Sequence, residues 1–335
     1  MSTLKFIVKR LLQSVLILFF VMLVIYVLMR CLPSSFIETL ARQKASQPNS
    51  KSYEEWMAQL QQSYGYSPEN TFTNIFSGFF KWIGQAVQGN FGDSWYYTKP
   101  VTEVFRESIG ISFIMGAISL VLEIIISIPL GIIAARKQYS ATDYTVSVIA
   151  IACMSLPTFF LIALLKLVFS INLGWFDLIG QVGRNYEQLS GFGRFLDRAH
   201  HLVLPIVTLV LISIGSWMRY VRTNMLEVMN ADYIRTARAK GLSERKVIYK
   251  HAFRNTLIPL VTFIGGSLPG LFSGALFTET MFSIKGIGYM SYYSMVAGDI
   301  PFTMFYLSFL AVLTLLGNLI ADILYAVVDP RVRIS

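Results

Sequence analysis

Six stretches of the chain stay apolar for the length a bilayer demands: 11–29, 109–135, 144–171, 202–218, 256–282 and 302–328. About 20 apolar residues at 1.5 Å each cross a hydrocarbon core of ~30 Å. Runs this long satisfy their own backbone polar groups only as helices. The pattern predicts an all-α integral membrane protein with six transmembrane helices. The fourth span is short and has room to extend past Arg219. Pro129 and Pro157 sit inside spans two and three, where each removes a backbone bond and predicts a kink.

The polar stretches between spans carry their own patterns. In 30–108, Ser52 and Glu55 form a capping box ahead of Trp56 and Leu60, with Gly65 as a stop. From Phe72 to Val87, aromatics at Phe72, Phe76, Phe79 and Phe80 recur near helical spacing, with Trp82 close by. An amphipathic helix follows, either lying in the membrane interface or packed as a lid over the helix ends. In 219–255, Asn224 with Glu227 predicts a helix start continuing span four, and Asn230 predicts a cap for a short helix over Ala231–Lys240 that stops at Gly241. Ser243 then opens another helix with Glu244 in its first turn. A basic loop resting on anionic lipid headgroups is the simpler alternative for this segment.

Composition fits this picture. Of 335 residues, 54% are hydrophobic and 14% charged, and mean hydropathy is +0.56. A soluble domain carries about 25% charged residues. The net charge of +9 would suggest nucleic acid in a soluble protein, so the location of the charges decides. With the N-terminus inside, segments 1–10, 136–143, 219–255 and 329–335 hold 16 Lys/Arg in 62 residues, against 11 in the 128 residues of 30–108, 172–201 and 283–301. The positive-inside rule therefore predicts N-in and C-in. The inner segments carry +11, more than the whole surplus, and no nucleic acid is called for. The uncharged run Leu11–Met29 exceeds a signal-peptide core and lacks a following A-x-A site, so it reads as an uncleaved first helix. Cys31 and Cys153 read as two free small hydrophobes. The expected organisation is an N-terminal helix over 1–30, an extracytoplasmic region over 31–108, a five-helix core over 109–328 that includes 219–255, and a tail over 329–335.

Candidate chemistry is sparse. There is no G-x-x-x-x-G-K-[ST], H-E-x-x-H or G-x-S-x-G, so no nucleotide cradle or catalytic motif points to an enzyme. His200 and His201 lie near Asp197 at a membrane boundary, but adjacent side chains on a helix diverge, and no metal site is assigned. Ionisable groups inside spans are functional candidates. Glu123 falls near the centre of span two, Lys166 toward the outer end of span three where it can snorkel, and Asp322 toward the inner end of span six. Glu123 serves either transport or a structural hydrogen bond to a neighbouring helix. Gly266, Gly270 and Gly274 recur every four residues around Pro269, predicting a kinked span with one small-residue face. Such a face suits a translocation pathway, a subunit interface or ordinary packing within the chain.

Several motifs together resemble a known family. Asp232-Tyr233-Ile234-Arg235-Thr236-Ala237-Arg238-Ala239-Lys240-Gly241-Leu242-Ser243, then His251-Ala252-Phe253-Arg254-Asn255 and Ile258-Pro259, are similar to the cytoplasmic loop of oligopeptide/dipeptide permeases among the binding-protein-dependent ABC importers. Where the general importer pattern has E-A-A, this chain has Arg235-Thr236-Ala237, the variant typical of peptide permeases, and retains Gly241. Gly89-Asn90-Phe91-Gly92-Asp93-Ser94 with Pro100-Val101 resembles the end of the first external loop of the B-type subunit. Glu279-Thr280-Met281-Phe282 with Gly286-Ile287-Gly288 resembles the turn after span five. Asn318 to Asp322 and Tyr325 to Arg331 resemble the C-terminal signature.

The resemblance implies a type I ABC importer permease fold in the bacterial cytoplasmic membrane, importing short peptides by alternating access. Its implied partners are a homologous second permease, two ABC ATPases that bind the ATP, an extracytoplasmic substrate-binding protein and membrane lipid. The chain itself would need no cofactor. The short helix would be the coupling helix, with Asp232, Tyr233, Arg235, Thr236, Ala237, Arg238, Lys240 and Gly241 at the ATPase contact. Ala237 and Ala239 are small enough for close seating. Glu123, Pro129, Pro157, Gly266, Pro269, Gly270 and Gly274 would line or bend the pathway, and Asp322 becomes part of a structural signature. Relatives of this architecture also carry nickel chelates or oligosaccharides. An ion-coupled secondary transporter would show internal repeats, and none is visible. An intramembrane enzyme would need catalytic groups at one depth, which Glu123, Lys166 and Asp322 do not supply.

Overall fold

The computed structural model describes residues 3–31, 35–48, 50–63, 72–267 and 269–328, with backbone alone at 3–7, 30, 31, 35, 72–74, 258 and 322–328. Among the described residues the regular elements are all helices, with one isolated β-bridge between Asp93 and Pro100. In order, the helices are α1 (Thr3–Cys31), α2 (Ser35–Ala45), α3 (Tyr53–Ser63), α4 (Phe72–Val87), α5 (Val101–Arg136), α6 (Ala141–Ser155), α7 (Thr158–Leu165), α8 (Gly191–Met229) and α9 (Asp232–Ala239). Then come α10 (Glu244–Lys246), α11 (Phe253–Ser267), α12 (Gly270–Ser273), α13 (Leu276–Phe282), α14 (Ile287–Ala297) and α15 (Ile300–Val328). A π-helical turn over Lys166–Asn172 extends α7, another over Val247–Ala252 joins α10 to α11, and a 3-10 turn covers Tyr186–Gln188.

Five segments are long and apolar enough to cross a membrane: Val8–Met29, Val101–Arg136, Gly191–Met229, Pro259–Phe282 and Ile300–Ala321. The sixth predicted span is the pair α6 and α7, bent by 104° at Leu156-Pro157. Pro157 thus breaks span three instead of kinking it, whereas α5 runs unbroken through Pro129. Span four extends far more than expected. Ser190 caps it by accepting from Gly193 N at 3.2 Å, and it continues through Asn224 without restarting. Span five is no single kinked helix either. Gly274 at φ +77° and the Pro269 turn divide it into α11, α12 and α13.

Two compact units divide the chain: residues 9–108 with 290–315, and the remainder. In the first, Tyr26 and Met29 of α1 form a core with Ile37, Leu60, Phe79 and Met304. The Ser52–Glu55 capping box is present in both directions, with Ser52 N donating to Glu55 Oε2 at 3.1 Å and Glu55 N to Ser52 Oγ at 3.3 Å. The predicted stop at Gly65 lies outside the described residues. Helix α4 has the predicted bounds. Its Phe79 is fully buried against Phe19 and Tyr26 while Phe80 is 58% exposed, so it is packed along α1. The loop before α5 is pinned by Asp299, whose carboxylate accepts from Ser94 Oγ, from Tyr96 N at 3.2 Å and from Phe302 N at 3.3 Å. Burial pushes the Asp299 carboxyl above its usual range, and those hydrogen bonds pull it back. They account for the Ser94 of the Gly89–Ser94 motif.

In the second unit α8 is the hub, packed by α6, α7, α11 and α13. Close approach is bought with glycine at places the sequence reading did not single out. A Cβ on Gly131 would lie 2.6 Å from Val221 Cβ, and one on Gly215 would lie 2.5 Å from the Ala150 carbonyl. A Cβ on Gly266 or Gly270 would meet nothing within 4 Å among the described residues.

Candidate functional site

The segment between α8 and α11 is rigidly seated. Asn230 is the C-cap of α8, not the N-cap of the next helix, and Ala231 opens α9 without a side-chain cap. Lys240 is the C-cap of α9, and Gly241 at φ +74° supplies the left-handed residue that ends it. Ile234 and Ala237 are buried against Val247, Ile248, Ala252, Val221 and Met225, and against Ile132 and Ala135 of α5. The small size of Ala237 therefore serves the seat of α9 on its own chain. Asp232, Tyr233, Arg235, Thr236, Ala239 and Lys240 face outward. Arg235 reaches Asp232 at 3.6 Å and Thr236 Oγ1 donates to the Asp232 carbonyl at 3.0 Å.

Arg238 is spent within the chain. Its Nε and Nη2 donate to Glu244 at 3.2 and 2.9 Å, bridging the Gly241 turn. Arg238 holds the Glu244 carboxyl below its usual range. A depressed acid contributes stability above the ordinary carboxylate range and loses it as pH falls through the folded value. Both side chains are more than a third exposed, so the pair is worth at most about 1 kcal/mol. Glu244→Gln should therefore leave a melting curve at about pH 2, below the depressed folded value, unchanged and lower one at pH 7 slightly. An equal shift at both pH values would refute the pairing.

A cavity of about 350 Å³ lies in the same unit, lined by Glu123 of α5, Ser213 and Trp217 of α8, and Ser267, Gly270 and Gly274 around the break in span five. Glu123 is 7% exposed, with Ser213 and Trp217 of the neighbouring α8 beside it on the cavity wall. It nonetheless borders open space. Pro269 packs against Gly317, a glycine with no room for a side chain there. Pro129 and Pro157 do not line this cavity. The α12–α13 break is closed by Glu279, whose carboxylate accepts from Ser112 Oγ at 2.7 Å, Ala275 N at 3.0 Å and Tyr289 N at 2.9 Å. Ser112 Oγ in turn accepts from Ile287 N at 2.8 Å. A Cβ on Gly286 would lie 2.5 Å from Glu279 Oε2, which explains the Glu279…Gly286-Ile287-Gly288 motif by contact.

Two further ionic features were missed in the sequence. Arg222 makes two 2.7 Å bonds to Asp143, tying the start of α6 to α8 across 79 positions. Lys166 has partners within the chain. Its Nζ donates to the Met281 carbonyl and lies 4.6 Å from the Phe282 ring centroid. Among the cysteines, Cys153 is free, and the side chains of Cys31, Asp322 and Tyr325 and all of Asp329–Arg331 lie outside the described ones.

These features define a polytopic helical membrane protein whose longest polar inter-span segment in the second unit presents a firmly held helix. Residues 127–334 match the family described as binding-protein-dependent transport system inner membrane component, and the chain belongs to it. It is a multi-pass transport component of the cytoplasmic membrane with a type I ABC permease fold. The oligopeptide transport system permease protein AppB of Bacillus subtilis is 35% identical over 98% of this chain and 99% of its own length. The oligopeptide permease OppB of Salmonella typhimurium is 32% identical, and the di/tripeptide permease DppB of Pseudomonas aeruginosa 31%, each over 98% of this chain and 99% of its own.

Proposed function

We propose that this chain is one permease subunit of an ATP-driven importer that moves short peptides across the cytoplasmic membrane by alternating access, with both termini inside. The observation that carries it is α9, a short polar helix with one face locked by Ile234 and Ala237 and the other exposed. A helix held this way passes on a push instead of absorbing it. ATP binds on two partner ATPases, and this chain needs no cofactor. Asp232, Tyr233, Arg235, Thr236 and Lys240 form the ATPase contact, while Ala237, Arg238 and Gly241 hold the helix in shape. The uncovered Gly266 and Gly270 suit a second, homologous permease across the pathway. Glu123 faces that pathway, and the breaks at Pro157, Pro269 and Gly274 are where the helices can re-angle. An extracytoplasmic binding protein delivers substrate to 30–108 and the other outer loops, and lipid covers the rest. Peptide as substrate rests on the end-to-end similarity to permeases named for peptides.

The test is affinity isolation of the tagged chain in mild detergent with mass spectrometry of what accompanies it. A second permease, two ATPases and a peptide-binding protein are expected. Tyr233→Asp with Arg235→Glu should weaken ATPase retention at least tenfold, the effect of about 1.4 kcal/mol. The variant's melting curve should not move, since both side chains are exposed. A wild-type chain that purifies alone and transports in liposomes under an ion gradient would sink the reading.

A further inference from the structure

The loop over 173–185 folds back onto the first turns of α8. Gly183 N donates to Asp197 Oδ2 at 2.9 Å, and Gly180 N donates to the Phe282 carbonyl at 2.8 Å. That fold-back brings Asp177, distant in sequence from the two histidines, to their side. His201 Nε2 lies 3.0 Å from Asp177 Oδ2, and the His201 side chain is only 4% exposed. The other ring nitrogen, Nδ1, lies 2.7 Å from the Asp197 carbonyl oxygen.

Those two contacts conflict in a neutral ring. A carbonyl oxygen only accepts, so Nδ1 must carry the hydrogen, and Nε2 is left with a lone pair. Asp177 Oδ2 is also an acceptor. Two acceptors at 3.0 Å require a proton, on the ring or on the carboxyl, or a metal ion between them. The surroundings favour the metal. The ligand atoms of Asp177, His200 and His201 all lie within 4.8 Å of one another, and a proton would need no third donor. Two tetrahedral ligands at bond lengths of about 2.1 Å lie about 3.4 Å apart, and the exposed Asp177 carboxylate can move outward from its 3.0 Å contact by that difference. Nδ1–H bonded to a backbone carbonyl is the outer-shell contact that orients a metal-bound imidazole. The His200 ring is stacked on Phe176 at 4.8 Å, and being exposed it can turn to close the remaining distance.

We propose that Asp177, His200 and His201 bind one divalent transition-metal ion of the zinc class, with nitrogen and carboxylate donors and the remaining position open to water. On the orientation proposed above the site lies on the outer face, and the ion clasps the 173–185 loop to α8. The sequence argument against a metal here, that adjacent histidines diverge, lacked the third ligand: Asp177 comes from the loop and needs only His201 and a turn of His200 to converge.

The test is equilibrium dialysis of the full chain in detergent against Zn²⁺, with a tag free of histidine, and metal quantified by mass spectrometry. One ion per chain is expected. Asp177→Asn should weaken binding more than about 100-fold, since even outer-shell partners carry about 10–100-fold. The Asp177 side chain is 63% exposed, so this variant keeps its fold and decides the matter even where His201→Gln disturbs packing. Zn²⁺ should also slow proteolysis within 173–185 in the wild type and not in Asp177→Asn. Absence of stoichiometric Zn²⁺, or equal affinity in Asp177→Asn and wild type, would overturn the proposal and leave a proton between His201 and Asp177. Neither result depends on the ATPase partners, so the transport reading stands or falls separately.

Discussion

Glu279→Ala should be the most damaging single truncation in the second unit, costing about 4 kcal/mol or more. Glu279 is fully buried, and its two oxygens receive Ser112 Oγ, Ala275 N and Tyr289 N. Hydrogen bonds to a charged group contribute about 1.5–3 kcal/mol each, and stranded buried donors cost about 1–3 kcal/mol. Alanine strands two amide N–H groups and leaves a void where Gly286 and Gly288 press against the carboxylate. Glu279→Gln keeps the shape and one acceptor but turns an NH₂ group toward a donor, so it should fall between alanine and wild type. The check is thermal unfolding of the detergent-solubilised chain. An alanine variant within about 1 kcal/mol of wild type would contradict the network. Ser112→Ala in the same background should cost less once Glu279 is gone, because the two act as a unit.

The second large effect is expected at Arg222. Asp143 has a 4% exposed side chain, and Arg222 bonds both of its oxygens. Removing one partner of a buried pair leaves an uncompensated charge, at a cost of about 3–5 kcal/mol. Arg222→Ala should accordingly lower expression and melting temperature. The double variant Arg222→Met, Asp143→Leu should recover most of the loss, since apolar replacements of both partners are often neutral. If the double variant is as damaged as the single, the pair's contribution is not the charge but the local turn, where Tyr139 N also donates to Asp143 at 3.0 Å.

Both features were invisible in one dimension. Asp143 and Arg222, like Ser112 and Glu279, sit on different spans, and no local pattern announces which polar residues will meet. What could be read were the features that act locally. Long apolar runs gave the five long apolar spans and the region of the bent α6–α7 pair, aromatic spacing gave α4, a reciprocal Ser/Glu pair gave the start of α3, and Gly241 gave the end of α9. Element ends failed where polarity interrupted the run. Gly191 to His201 contains Arg194, Asp197 and Arg198, so the apolar count starts late although the helix does not. Breaks failed differently. Pro157 and Pro269 were visible as bends, but their size depends on what packs beside them, and Gly274 was read only as part of a small-residue face. Of the candidate residues, the outward face of α9 came from the motif. Its inward face, with Ala237 and the Arg238–Glu244 clasp, came only with the packing of α9 against the π-helical turn.

The unbroken length of α8 has a mechanical consequence. From His201 to its cap at Asn230 the helix is a rod of about 43 Å at 1.5 Å per residue. It begins beside the 173–185 loop and ends where α9 starts. Pivoted near its middle, a tilt of about 5° moves each end by about 2 Å in opposite directions, given that length. A displacement on that scale at one end is therefore carried to the other along the helix itself, with its neighbours sliding past it. On this view α8 is a lever arm, and the glycine contacts at Gly131 and Gly215 are where its bearing surfaces lie closest.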